Sequence, residues 1–121
     1  MLAKDLLGRR GEDAAAQYLT SRGYQLLERN WRSGRAEVDA IVISPDERTL
    51  VFVEVKTRAT DYYGFPELAV TARKMELLNE AAEAYMAEFG WTRDVRFDIL
   101  ALTVQGAGFK VYHIEDAFKG Y

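Results

Sequence analysis

The sequence predicts an α/β domain in which one mixed sheet takes a helix on each face. Three observations carry that prediction. Apolar residues recur at helical spacing in two stretches, one near the amino terminus and one past the middle. Five strand-like runs lie between and after them, bounded by Gly, Pro, Ser and Asp. The segment joining the third run to the fourth is long enough for a crossover between parallel strands.

The first helix is expected over residues 4–22, where Leu7, Ala15, Ala16, Tyr18 and Leu19 form an apolar side and Gly23 stands at a left-handed cap position. A strand follows at residues 24–32, closed by the turn Ser33–Gly34. Residues 36–44 and 50–58 are the second and third strands, joined by the polar turn 45–49, and complete a three-strand antiparallel meander. An aromatic loop, residues 61–67, leads to a long helix that begins at Glu67 or Thr71, runs to Phe89 and stops at Gly90. Leu68, Ala72, Met75, Ala82 and Phe89 recur along it at helical spacing. Residues 95–104 and 109–114 supply two further strands. No repeat or linker interrupts the chain, so 1–121 is expected to be a single domain.

No apolar run approaches the roughly 20 residues that span a bilayer, and the first residues lack a signal peptide's apolar stretch. The chain has no cysteine, which rules out disulfides and thiolate metal sites and suits the cytoplasm. The net charge of −3 argues against a nucleic-acid partner, but its distribution softens that. Residues 1–58 hold 10 Lys/Arg against 9 Asp/Glu, and residues 59–121 hold 6 against 10. If Glu12, Glu37, Asp39 and Glu54 belong to a metal site, the first half carries 10 basic residues against 5 other acids.

The meander is where charge and pattern collide. Side chains alternate faces along a strand, so Glu37, Asp39, Ile41 and Ile43 are expected on one face and Val38, Ala40 and Val42 on the other. In the third strand Phe52, Glu54 and Lys56 share a face, opposed by Val51, Val53 and Val55. The hairpin sets the start of the second strand beside the end of the third, which makes Asp39 and Glu54 near cross-strand neighbours. Two such carboxylates repel unless something positive lies between them. Lys56 is one candidate and a divalent cation the other. Carboxylates, a main-chain carbonyl and waters form the oxygen-rich set that Mg²⁺ prefers. Glu12 shares a helical stripe with Gly8, Ala15, Ala16 and Leu19, which hangs it over the sheet. Plainer readings exist for each: a surface pair for Glu54 and Lys56, a solvated Asp39, and a Glu12 paired with Arg9 or Arg35.

Asp39, Glu54-Val55-Lys56 on the next strand and Glu12 on the preceding helix resemble the PD-(D/E)XK nuclease superfamily, the restriction-endonuclease-like fold. With the segments "EVDAIVI", "VFVEVKTR", "GFPE" and "RFDIL", residues 8–118 resemble its small YraN-like family, which is Holliday-junction-resolvase-like. One position departs from the superfamily pattern, Val38 standing where its name promises Pro. The resemblance implies an endonuclease that hydrolyses DNA with Mg²⁺ or Mn²⁺. Asp39, Glu54, the Val55 carbonyl and Glu12 would hold the metal, and Lys56 would orient the attacking water or stabilise charge on the phosphorane.

Arg9, Arg10, Arg32, Arg35, Arg58 and Lys74 are candidate phosphate contacts, with Lys74 open to the plainer reading of a solvated helix lysine. Tyr62, Tyr63 and Phe65 are candidates for stacking on a base or packing over the sheet edge. His113, the only histidine, reads as structural. DNA is the expected partner, with a homodimer following from the need to cut two strands. Two other readings stand: an inactive nucleic-acid-binding module working with a protein partner, and a metal-binding or scaffold protein that never meets nucleic acid.

Overall fold

The computed structural model of the chain describes residues 3–60 and 70–118. Helix α1 spans Ala3–Ser21, strands β1 to β3 span Gln25–Ser33, Ala36–Ile43 and Thr49–Arg58, helix α2 spans Ala72–Phe89, and strands β4 and β5 span Asp94–Gln105 and Gly108–Ile114. The strands lie side by side in chain order in one sheet. Neighbours are antiparallel except β3 and β4, which α2 joins as a parallel pair. Helix, antiparallel meander, helix and two strands in one mixed sheet is the element order expected from the sequence. The aromatic loop with Tyr62, Tyr63 and Phe65 lies outside the described residues.

Both helices are closed by local chemistry. At the end of α1, Gly23 takes φ +90°, and the N–H groups of Gly23 and Tyr24 donate to the carbonyls of Thr20 and Leu19 at 3.1 and 3.0 Å. That paired closure needs a residue at ease in the left-handed region. Helix α2 opens on Thr71, whose side chain accepts the Lys74 N–H, and closes on Gly90 at φ +73°.

Each face of the sheet carries its own apolar core. On one, Ala15 and Leu19 of α1 pack against Ala40, Val42, Val51, Val53, Leu100 and Leu102. On the other, Leu78, Ala81, Ala82 and Tyr85 of α2 cover Ile41, Leu50, Phe52, Phe97 and Ile99. Burying each such large side chain contributes on the order of 1.5–3 kcal/mol. The covering face of α2 therefore centres on Leu78 and Tyr85. Phe89 is exposed and touches the core through Tyr85, with ring centroids 4.5 Å apart.

Strand β2 does not alternate throughout, contrary to the sequence pattern. Val38 packs on the α2 side together with Ile41, although an odd spacing of three positions would put them on opposite faces. The break falls at Asp39. The neighbouring strand is irregular there as well: Asn30, opposite Asp39, adopts φ +51°, and the β1–β2 register slips further along, between Leu26 and Glu28 opposite Val42 and Ile41. The β2–β3 ladder runs from Ile43↔Leu50 to Ala40↔Val53 and goes no further. The sheet thus opens between β2 and β3 just where the acidic residues begin.

Candidate metal and nucleic-acid site

Asp39 occupies the opening. Its Oδ2 accepts the backbone N–H of Val55 at 2.7 Å, replacing the ladder partner that β2 no longer offers. The peptide groups of one strand residue project to the same side, so the Val55 carbonyl enters the same gap. Glu54, one residue earlier on β3, faces α2 with Leu50 and Phe52 and is only 6% exposed. Its Oε1 lies 3.3 Å from Lys56 Nζ and 3.6 Å from Lys74 Nζ. Its Oε2 is buried with no hydrogen-bond partner among the described residues.

Burial pushes the Asp39 carboxyl up to about 7, the Glu54 and Glu12 charges adding to the rise while the Val55 N–H and Lys74 oppose it. A carboxyl raised this far beside a buried carboxylate whose second oxygen has no partner among the described residues marks a place short of positive charge. Two carboxylates and a carbonyl are an oxygen-only set that suits Mg²⁺ or Mn²⁺. These residues fit such an ion.

Glu12 stands differently from the sequence expectation. Its helix covers the Val51 and Val53 face, while Glu54 faces the other helix. Glu12 reaches the site as a charge felt by Asp39 from the opposite layer. Among the described residues no three acidic or histidine side chains converge closely enough to enclose an ion. Glu37 is also apart from the site, paired with Arg32 at 3.3 Å.

The candidate phosphate contacts gather at the same end of the sheet. Arg32 and Arg35 flank the β1–β2 turn, and Arg58 is half-buried at the end of β3. Arg10 donates to the carbonyl of Ala107 in the β4–β5 turn at 3.2 Å, and Arg9 beside it is exposed. The pairing Arg58↔Thr103 sets that turn beside the end of β3. Lys74 reads in the sequence equally as a solvated helix lysine. It leans on Glu54 because α2 starts over the acidic end of β3.

A second polar cluster went unread in the sequence. Asp98, fully buried on the α1 face of β4, accepts from Arg96 Nε and Nη2 at 2.8 Å each and from the Asp116 N–H at 3.0 Å. The His113 Nε2 lies 2.7 Å from Asp98 Oδ2, and Tyr18 Oη lies 3.3 Å from His113 Nδ1. Burial alone would raise the Asp98 carboxyl; its bonds to His113, Arg96 and Asp116 outweigh that and lower it. The signal was present as Arg96 and Asp98 at i and i+2 in an otherwise apolar strand. His113 is one of the residues that hold this cluster together.

Fold and site together define a mixed α/β protein with a buried carboxylate–ammonium cluster at the basic end of its sheet. Comparison with known proteins gives the family. Residues 11–102 match the model described as "Uncharacterised protein family UPF0102", and the chain belongs to that family, in agreement with the YraN-like resemblance. A UPF0102 protein of Prosthecochloris aestuarii is 45% identical over 119 residues, covering 93% of this chain and 92% of its own. One from Parabacteroides distasonis is 42% identical over 118 residues, covering 98% and 96%. Among solved structures, Pyrococcus furiosus SfsA in complex with Ca²⁺ is similar at 17% identity and a TM-score of 0.36. The match covers 93% of this chain and 63% of SfsA. Among the described residues no helix is long and apolar enough to cross a membrane.

Proposed function

We propose that the chain is a divalent-metal-dependent endonuclease that hydrolyses DNA phosphodiester bonds, branched or junction DNA included. It acts in the cytoplasm, with two copies supplying the two cuts. The reading is carried by the Glu54 carboxylate: buried, one oxygen shared by two lysines, the other without a partner among the described residues.

Asp39 and Glu54 would hold Mg²⁺ or Mn²⁺ with the Val55 carbonyl. When bound, such an ion lowers the pKa of its water and neutralises charge on the scissile phosphate. The rest falls to the chain's own side chains. The Val55 N–H fixes the Asp39 carboxylate in one orientation. Lys56, with its side chain one-third exposed, extends from the metal-holding strand to where an attacking water or a phosphorane oxygen would stand. Glu12 adds negative potential from the α1 layer. The arginines around this end of the sheet would bind phosphates and set register without reading sequence.

The test is cleavage of linear, flapped and four-way DNA in Mg²⁺ or Mn²⁺, with folding followed by circular dichroism. Asp39→Ala, Glu54→Ala and Lys56→Ala are each expected to abolish cutting and remain folded. Cleavage surviving in all three would place the activity elsewhere. Salt-dependent binding without cutting would make the chain a non-cleaving module that works with a partner. Absence of DNA binding would favour the metal-binding or scaffold reading.

A further inference from the structure

Lys74 lies in the first turn of α2, its backbone N–H donated to Thr71 Oγ1 at 3.1 Å. That is the positive end of the helix macrodipole, where an ammonium is disfavoured. The side chain is nevertheless only 33% exposed and directs Nζ to 3.6 Å from Glu54 Oε1. Lys56 reaches the same oxygen at 3.3 Å. Two ammonium groups thus share one oxygen while the other, on the same carboxylate, has no hydrogen-bond partner among the described residues. Both pairs are longer than the roughly 2.7–2.9 Å of a tight charge-assisted bond, and the Lys74 pair is the longer. An ammonium on a flexible four-carbon stem can leave such a pair without disturbing the helix that carries it.

We propose that Lys74 is the displaceable counter-ion of Glu54: it neutralises the buried carboxylate until a divalent cation takes its place, then turns to a phosphate of the substrate. This rests on the reading under Proposed function and assigns the residue a role within it. Without a counter-ion, Glu54 would be a costly buried charge. Once a doubly charged ion has arrived, two lysines on the same carboxylate are an excess of positive charge. Lys56 is tethered two residues away on the same strand. Lys74 comes from another element and the wrong end of a dipole, so Glu54 is its reason for being there, and it is the one that leaves.

The experiment is Mn²⁺ titration of the whole chain by calorimetry, for wild type and Lys74→Met, which keeps length and removes charge. Mn²⁺ should bind Lys74→Met about tenfold more tightly, because a competing positive charge has gone, while cleavage falls. In wild type, acetylation of Lys74 by acetic anhydride, read by peptide mass spectrometry, should rise several-fold when Mn²⁺ is added. If wild type binds Mn²⁺ while the variant's affinity and the Lys74 labelling stay unchanged, the displacement role is wrong and the metal site stands. If wild type binds no Mn²⁺, the proposed function falls and this inference with it.

Discussion

Asp39 accepts the backbone N–H of Val55 at 2.7 Å at the point where the β2–β3 ladder ends, so one carboxylate serves as both a ladder partner and a candidate metal ligand. The two roles need different things from it. A ladder partner needs an acceptor oxygen, whereas a metal ligand needs the charge. Asp39→Asn separates them, because the amide oxygen still accepts from Val55 and the repulsion with Glu54 disappears. At neutral pH this variant should be as stable as wild type or more stable by about 1 kcal/mol in urea unfolding, and inactive as a nuclease. Asp39→Leu, which leaves the Val55 N–H without an acceptor, should lose about 1–3 kcal/mol.

Binding to the folded state alone stabilises it by mass action. Mg²⁺ or Mn²⁺ at about 100 times its dissociation constant should raise the unfolding free energy of wild type by about 2.7 kcal/mol, and a chelator should reverse the gain. Glu54→Gln keeps the shape and removes the charge, so it should unfold at the same urea concentration with or without the ion. A gain of equal size in that variant would place the binding elsewhere.

The strands and helices were legible because most of them obey simple periods. β3 does so fully, with Leu50 and Phe52 facing one core and Val51 and Val53 the other. β2 does not, because its alternation breaks at Asp39 beside the left-handed Asn30 of β1, and no period in β2 records a neighbour's backbone. Proximity of Asp39 to Glu54 was readable from the hairpin. Which helix covers which face was not, and that decides Glu12: its helix lies on the face opposite Glu54, so it acts on Asp39 at range. The partner of Lys74 is likewise set by tertiary placement, which no local pattern around it records. The Asp98 cluster draws on α1, β4, β5 and the turn after β5, too dispersed for any local pattern to reveal.

Gly11 marks where α1 crosses the site end of the sheet. A methyl group there would run into Thr57 Oγ1 and lie 2.6 Å from its Cγ2 and 2.7 Å from its Cβ. Thr57 is β-branched and sits in a strand, so it yields little. Gly11→Ala gains helix propensity on paper, about 1 kcal/mol, yet should destabilise by about 1–3 kcal/mol through overpacking. Thr57→Ala removes two of the three clashing atoms, so the double variant should recover part of the loss. A thermodynamic cycle by urea unfolding measures that coupling; strict additivity of the two single changes would show that α1 does not press on Thr57.

Asp98 gives a pH dependence whose sign follows from its surroundings. Burial would raise its carboxyl, but the bonds from His113, Arg96 and the Asp116 N–H win and hold it below the ordinary carboxylate range. A depressed folded value means that the stabilisation is present above about pH 4, the unfolded value, and is lost as pH falls through the folded one. The groups around it act together. Arg96 also donates to Tyr24 at 2.8 Å and lies 4.0 Å from Glu115, and Tyr18 lies beside His113. Removing the acid therefore leaves a half-buried guanidinium without its main partner. Asp98→Asn should cost about 3–5 kcal/mol near neutral pH, and the gap to wild type should narrow as the pH falls through the acid range. Unfolding free energies measured from pH 7 to pH 3 for both proteins check this. A gap that stays constant with pH would mean that the charge on Asp98 contributes nothing, and that the cluster holds the sheet edge through hydrogen bonds alone.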